Sequence, residues 1–535
     1  MTAVHENRTG AADLGEHEAQ PPTSRRAVLV PLSGLLLGLL TTILASTVVG
    51  TALPVIVADL GGSQSAYTWV VISTLLAMTV STPVWGKLAD LVDRKLLIQV
   101  SLVAFVAASA LAGLSQETWH LIAVRVVQGL AAGGVMSLSM VVITDLISPR
   151  ERGRYVGIMG AVMSIGTLGG PLLGGVLTDV LGWRWTFYAG IPLAVAALVV
   201  LQRTLHLPAR ARRRVHIDYA GAVLIAGSVS ALLVWVSLAG EQLAWVSWWS
   251  ALLVGTAVIG LALAVRVESR SPEPLIPLSL FRNRTLTLSV VASMGVGVAM
   301  FGGSVFLAQY LQLARGLSPT ASGLHTAPIV IGSLVASTVI GQLVTRTGRY
   351  KAYMVGGAAS LVVGLALMST IDAGTSYWLL SLYMALIGIG MGACMQNLVL
   401  ATQNTTDIRQ MGVATATVTF FRSLGGAVGV AVLGAVLAHR VSASITSGLA
   451  DLGVALPAGQ EGAVPKVSEL PEPVRTVVEQ AYAGGVADLF LASVPLAVVA
   501  LVAICFLREV PLGRKTGVQQ RAEVEAEIEV DATRV

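Results

Sequence analysis

GKLADLVDRK (Gly86–Lys95) and GQLVTRTGRYK (Gly341–Lys351) decide the architecture, because they are one pattern written twice. Gly86 aligns with Gly341, Leu88 with Leu343 and Arg94 with Arg349. Each copy closes an apolar run of the length a bilayer demands. The hydrocarbon core is about 30 Å thick, so a helix needs about 20 mostly apolar residues to cross it. On that measure helices are predicted over 30–54, 67–87, 96–114, 119–146, 154–179, 185–205, 218–240, 247–267, 285–310, 322–345, 352–370, 377–401, 411–438 and 486–507. The two copies follow the second and the tenth of these fourteen. Two abutting halves of six would place them six apart, so two further helices stand between the halves. The runs 218–240 and 247–267 are the natural insert, flanked by the basic stretch Arg210–Arg214 and the Pro-rich SPEPLIP (Ser271–Pro277). The expected fold class is all-α integral membrane: two six-helix bundles plus a two-helix insert. Its parts are a polar tail over 1–29, a first bundle over 30–205, and the insert with its linkers over 206–284. A second bundle follows over 285–507, with a long outer loop at 439–485, and then a second tail over 508–535.

Composition agrees. The chain of 535 residues is 55% hydrophobic and only 12% charged, with a mean hydropathy of +0.78. Soluble domains carry about 25% charged residues. The net charge of +5 does not point to nucleic acid, because the basic residues stand singly or in small groups between apolar runs. Of the 34 Lys and Arg, 27 fall on the side that holds both termini. The opposite loops hold Arg184, Arg315, Arg440, Lys466 and Arg475, while Arg125 and Arg422 lie inside helices. This bias places both termini in the cytoplasm of a multi-pass protein. The N-terminal tail, with Glu6, Asp13, Glu16 and Glu18, lacks the apolar core of a secretory signal. Cys394 and Cys505 sit in separate apolar runs and offer no disulfide framework. No P-loop pattern occurs, and no His, Cys, Asp or Glu cluster shares a depth in the membrane, so neither an embedded enzyme nor a metal or other cofactor is expected.

The run at Gly86–Lys95 resembles the loop signature between helices 2 and 3 of the major facilitator superfamily. The resemblance implies a gating role for Gly86, Asp90 and Arg94, with the glycine allowing close packing. Asp93 stands where that family usually has glycine. In the fifth predicted helix Gly157, Gly166, Gly170, Pro171, Gly174 and Gly175 fit G-x8-G-x3-GP-x2-GG without a gap. This is similar to the antiporter signature that separates exporters from importers in the superfamily. The fourth helix carries Arg125, Gln128 and Gly129, resembling the family's R-x-x-Q-G motif, which implies proton handling beside a cavity. Arg422, in FFRSLGGAVG (Phe420–Gly429), resembles the thirteenth helix of the 14-helix drug:proton antiporters, the EmrB/QacA group. YTWVVISTLLA (Tyr67–Ala77) and QYLQLARGLSP (Gln309–Pro319) agree with that group. The implied function is export of a small drug-like molecule or secondary metabolite in exchange for protons, by a monomer in the bacterial plasma membrane. A lipid or glycolipid exporter on the same fold is the alternative.

Two residues break the pattern. The first helix of that group carries an aspartate and an asparagine where this chain has Ala45 and Gly50, in LASTVVGTALP (Leu44–Pro54). No other helix brings an acid near its middle. Proton coupling would then use a residue near a helix end: Asp145, exchanging with Arg94, or more weakly His325. A cavity with Arg125 and no carboxylate should favour neutral, zwitterionic or anionic substrates over dications. PEPVRTVVEQAYAGGV (Pro471–Val486) reads as a short amphipathic helix on the outer surface.

Overall fold

A computed structural model describes residues 25–146, 152–205, 219–238, 243–244, 246–271, 274, 277–406, 410–452 and 470–510. Fourteen long helices follow the order read from the sequence. In the first half they are α1 (Arg25–Asp59), α2 (Gln64–Leu91), α3 (Arg94–Gly113), α4 (Thr118–Leu146), α5 (Arg152–Val180) and α6 (Trp185–Thr204). The insert is α7 (Tyr219–Leu238) and α8 (Trp248–Glu268). The second half holds α9 (Arg284–Ala314) and α10, broken into Pro319–His325 and Ala327–Thr347. It continues with α11 (Lys351–Met368), α12 (Tyr377–Asn404), α13 (Met411–Asp451) and α14 (Glu472–Cys505). Among the described residues twelve are long and apolar enough to cross a membrane. The other two are α5 and α7. With no water in the bilayer core, helices are the form in which each segment satisfies its own backbone.

The packing repeats with a step of eight helices. In the first half α2 packs on α4, α1 on α5 and α6, and α3 on α4 and α6. In the second half α10 packs on α12, α9 on α13 and α14, and α11 on α12 and α14. The insert helices α7 and α8 pack on each other, and α7 also touches α2 and α13. Glycines bring the paired backbones together in both halves. A Cβ on Gly129 would lie 2.4 Å from the Thr74 carbonyl oxygen, and one on Gly388 would lie 2.0 Å from that of Ile329. Lipid tails offer no hydrophobic gain between helices, so close backbone approach carries the association.

Two boundaries depart from the sequence reading. The outer loop expected over 439–485 is much shorter, because α13 runs to Asp451 and α14 begins at Glu472. The stretch read as a separate surface helix is the opening of α14, with Val478, Ala481, Tyr482 and Val486 buried. Its charges lie on the more exposed face of that helix. Arg475 Nε donates to Glu479 Oε1 at 2.8 Å, and Glu472 lies 3.8 Å away. At 1.5 Å per residue the 41 residues of α13 reach about 60 Å, twice the hydrocarbon thickness.

The turn at Asp93 explains the departure from glycine. Asp93 has φ −55°, and its carboxylate accepts from the Lys95 backbone N–H at 2.8 Å, capping α3. The matching residue of the second copy is Gly348, which ends α10 with φ +69°. Only the second copy uses the left-handed turn that favours glycine.

Candidate functional site

The end of the bundle where α1 gives way to α2, opposite the chain termini, is here the far end. There α5 lies between the halves. Gly166, Gly170 and Gly174 recur every four residues, so they share one face. Their missing side chains admit Ile43, Thr47 and Val48 of α1; a Cβ on Gly174 would stand 2.4 Å from the Val48 carbonyl oxygen. Thr47 Oγ1 donates across to the Gly166 carbonyl at 3.1 Å. The neighbouring face, with Pro171 and Gly175, meets the first piece of α10 in the other half. A Cβ on Gly175 would lie 2.4 Å from the Thr320 Cα, and one on Gly323 would lie 2.4 Å from the Pro171 carbonyl oxygen. Asp179, at the end of α5, accepts from the Thr320 backbone N–H at 3.0 Å. A carboxylate at a helix N-terminus is favourable for both dipole and hydrogen bond.

Among the described residues, further hydrogen bonds join the halves at this same end. Gln64 of α2 and Gln309 of α9 form a reciprocal amide pair, with N···O distances of 3.2 and 2.5 Å. Both are buried, at 4% and 0% exposure. Tyr67 donates its hydroxyl to the Val305 carbonyl at 2.9 Å, and Gln312 donates to the Thr51 carbonyl at 2.7 Å. A π-helical turn over Tyr310–Ala314 closes α9 beside them; such turns recur where a helix serves function. Gly434 of α13 admits Thr68 of α2 one turn further in. The opposite, near end differs. A Cβ on Gly86 would meet Ser137 of its own half at 3.4 Å, and one on Gly341 would meet nothing within 4 Å. The close approach expected at Gly86 is therefore not made in this conformation.

The other expected site residues fall in distinct surroundings. Arg125 is buried among α2, α3 and α4 at 4% exposure. Its Nε donates to the Val70 carbonyl at 3.2 Å and its Nη1 to Gln128 Oε1 at 2.8 Å, while Gln128 Nε2 donates to Ser109 at 2.9 Å. An arginine at a helix centre costs about 2.5–3.5 kcal/mol. Two hydrogen bonds to a charged group return about 1.5–3 kcal/mol each, enough to hold it there. Arg125 is thus bound into its own half. Gln128→Leu, which strips Arg125 and Ser109 of their partner, is expected to lower stability by about 1–3 kcal/mol, read as a lower melting temperature in detergent.

His325 donates through Nδ1 to the Ala321 carbonyl at 2.7 Å and stacks edge-on against Tyr377 at 4.2 Å. Arg94 Nε donates to the Ala89 carbonyl at 2.9 Å. The surroundings of Asp90, Asp145 and Gly157 lie outside the described residues, and so does any pairing of Asp145 with Arg94. Ala45 is buried in an apolar cluster with Phe105, Ala131 and Ala132. Where the resembling family carries an acid, this chain has an alanine packed against Phe105, Ala131 and Ala132.

The sequence reading missed the far-end glutamines. Their signal was present: Gln309 and Gln312 stand three apart inside an apolar run, and polar side chains inside a spanning segment mark contacts or sites.

A family model described as Major Facilitator Superfamily matches residues 35–430. The chain belongs to the major facilitator superfamily. It is a transporter by family and not an enzyme. An uncharacterised MFS-type transporter of Mycobacterium tuberculosis is 40% identical over 483 residues, which cover 90% of this chain and 69% of that protein. The multidrug transporter protein MdtP of Bacillus subtilis is 36% identical, covering 81% of this chain and 80% of its own length. Among solved structures, a bacterial homologue of the human lysosomal transporter Spinster superposes with a TM-score of 0.63 at 15% identity, over 90% of this chain and 97% of that one. That likeness establishes the fold.

Proposed function

We propose that this major facilitator exports lipophilic small molecules from a bacterial cell by alternating access, in exchange for protons. The observation that carries the reading is α5, whose glycine series lets it pack on α1 through one face and on α10 of the other half through the next. A helix so placed can unseal the far end without breaking the packing of its own half. With both termini in the cytoplasm, the sealed end is extracellular and this conformation faces inward. Relatives named as multidrug transporters support the direction of transport. Ala45 within its apolar cluster supports a substrate that is neutral, zwitterionic or anionic. The transporter acts as a monomer, each chain holding its own path between the two halves.

Expression in a strain stripped of its own pumps tests the substrate class. Resistance is expected to rise for neutral lipophilic drugs and not for propidium, a dication; stronger protection against propidium would overturn the substrate assignment. Asp145 is the proposed proton carrier. Asp145→Asn is expected to abolish pH-driven transport while leaving the amount of protein in the membrane unchanged; full activity of that variant would move the proton elsewhere.

A further inference from the structure

The two arginines inside spanning helices meet opposite fates. Arg125 is tied to Val70 and Gln128. Arg422 lies eleven residues into α13, about 16 Å along the helix from its near end, and level with Gly297, thirteen residues into α9. Its backbone carbonyl packs against Gly297 of α9. Its side chain is half-buried and, among the described residues, makes no hydrogen bond or ion pair. The helices packed on α13 bring no acid to that depth. None occurs in α7, α9 or α12. Asp90 is in the last turn of α2, at the near end. On α14, Glu472 and Glu479 pair with Arg475, and Asp488 pairs with Arg440, all toward the far end.

A guanidinium that stays charged at any working pH is costly at this depth unless an anion meets it. Among the described residues none meets it, and the side chain keeps part of its surface exposed. Phe421, its neighbour in sequence, packs edge-on against Phe281 at 5.9 Å and against Phe420 at 5.3 Å. We propose that Arg422 anchors an acidic group, a carboxylate, sulfonate or phosphate, on the otherwise apolar molecule this transporter exports. The assignment rests on the export reading. It narrows the substrate class to organic anions with an aromatic or aliphatic body, which the planar donor fork of arginine suits.

The test uses a matched pair, dansyl-phenylalanine and its neutral methyl ester, with the purified full chain and with everted membrane vesicles. The wild type should bind the acid at least about tenfold more tightly than the ester, the effect of one charge-assisted contact. Arg422→Gln should lose that preference while keeping its affinity for the ester and its melting temperature. Arg422→Lys should keep part of the preference. An Arg422→Gln variant that binds both compounds as the wild type does overturns the assignment and leaves export standing. A wild type that exports the ester without preferring the acid does the same, whereas export of neither compound overturns both readings. Displacement of the acid by phosphatidylglycerol with no export of the acid would give the site to a lipid and overturn it too.

Discussion

Gly175→Val is expected to stop export while leaving the protein inserted and folded within each half. The argument is steric. The atoms a new side chain would meet are the Thr320 Cα at 2.4 Å and the Pro319 carbonyl oxygen at 2.5 Å. Both are backbone atoms in the first turn of α10, and Pro319 stiffens that turn. Neither can swing aside as a side-chain tip would. The cheapest response is for α5 and α10 to part, which opens the far end. Overpacking of this kind costs about 1–3 kcal/mol, and an equilibrium between two conformations moves about 5- to 150-fold on that scale. Thr68, 2% exposed and covered by Gly434 of the other half, reports the change. With the exposed Cys505 replaced by serine and Cys394 left buried, a Thr68→Cys reporter should react with an external impermeant maleimide much faster in the Gly175→Val background. Equal protection together with intact transport would mean that α5 does not gate the far end.

The second large effect concerns Gln64 and Gln309. Each amide satisfies the other in a site that excludes water, so removing one partner leaves a buried donor and acceptor unmet. Such an orphan costs about 1–3 kcal/mol, whereas replacing both partners by apolar groups is close to neutral. Gln64→Leu and Gln309→Leu are each expected to speed far-end labelling and depress transport. The double variant should lie nearer the wild type than either single one. A double variant as impaired as the sum of the two would show that the glutamines act independently, and that the pair is not a clasp between the halves.

The order of helices and the step of eight were legible because each rests on local information: run length, charge placement and a ten-residue repeat. The glycines of α5 were legible as a spacing. Their partners were not, since the contact of Gly175 with Thr320 joins residues on separate halves and leaves no periodic trace. The Gln64–Gln309 pair escaped for the same reason. Loop 439–485 was read as longer because Glu472 is an exposed charge and Arg475 a half-buried one, and only the burial of Val478, Tyr482 and Val486 shows the same helix continuing as α14. Arg125 shows a different limit. Sequence marks it as an arginine at a costly depth, but only the carbonyl of Val70 and the amide of Gln128 reveal that its hydrogen bonds stay inside its own half. Ala45 was legible as a departure from the resembling family, and its packing against Phe105, Ala131 and Ala132 was not, because those residues lie on other helices.

Proton-driven export is the central claim, and everted vesicles test it most directly. An acid-inside pH gradient imposed on vesicles bearing the wild type should drive the neutral dansyl-phenylalanine methyl ester inward, the direction that corresponds to export. Uptake should collapse when the gradient is dissipated and should be absent with Gly175→Val. Uptake of equal rate and extent without a gradient would contradict proton drive, and outward movement of the ester under the same gradient would contradict export itself.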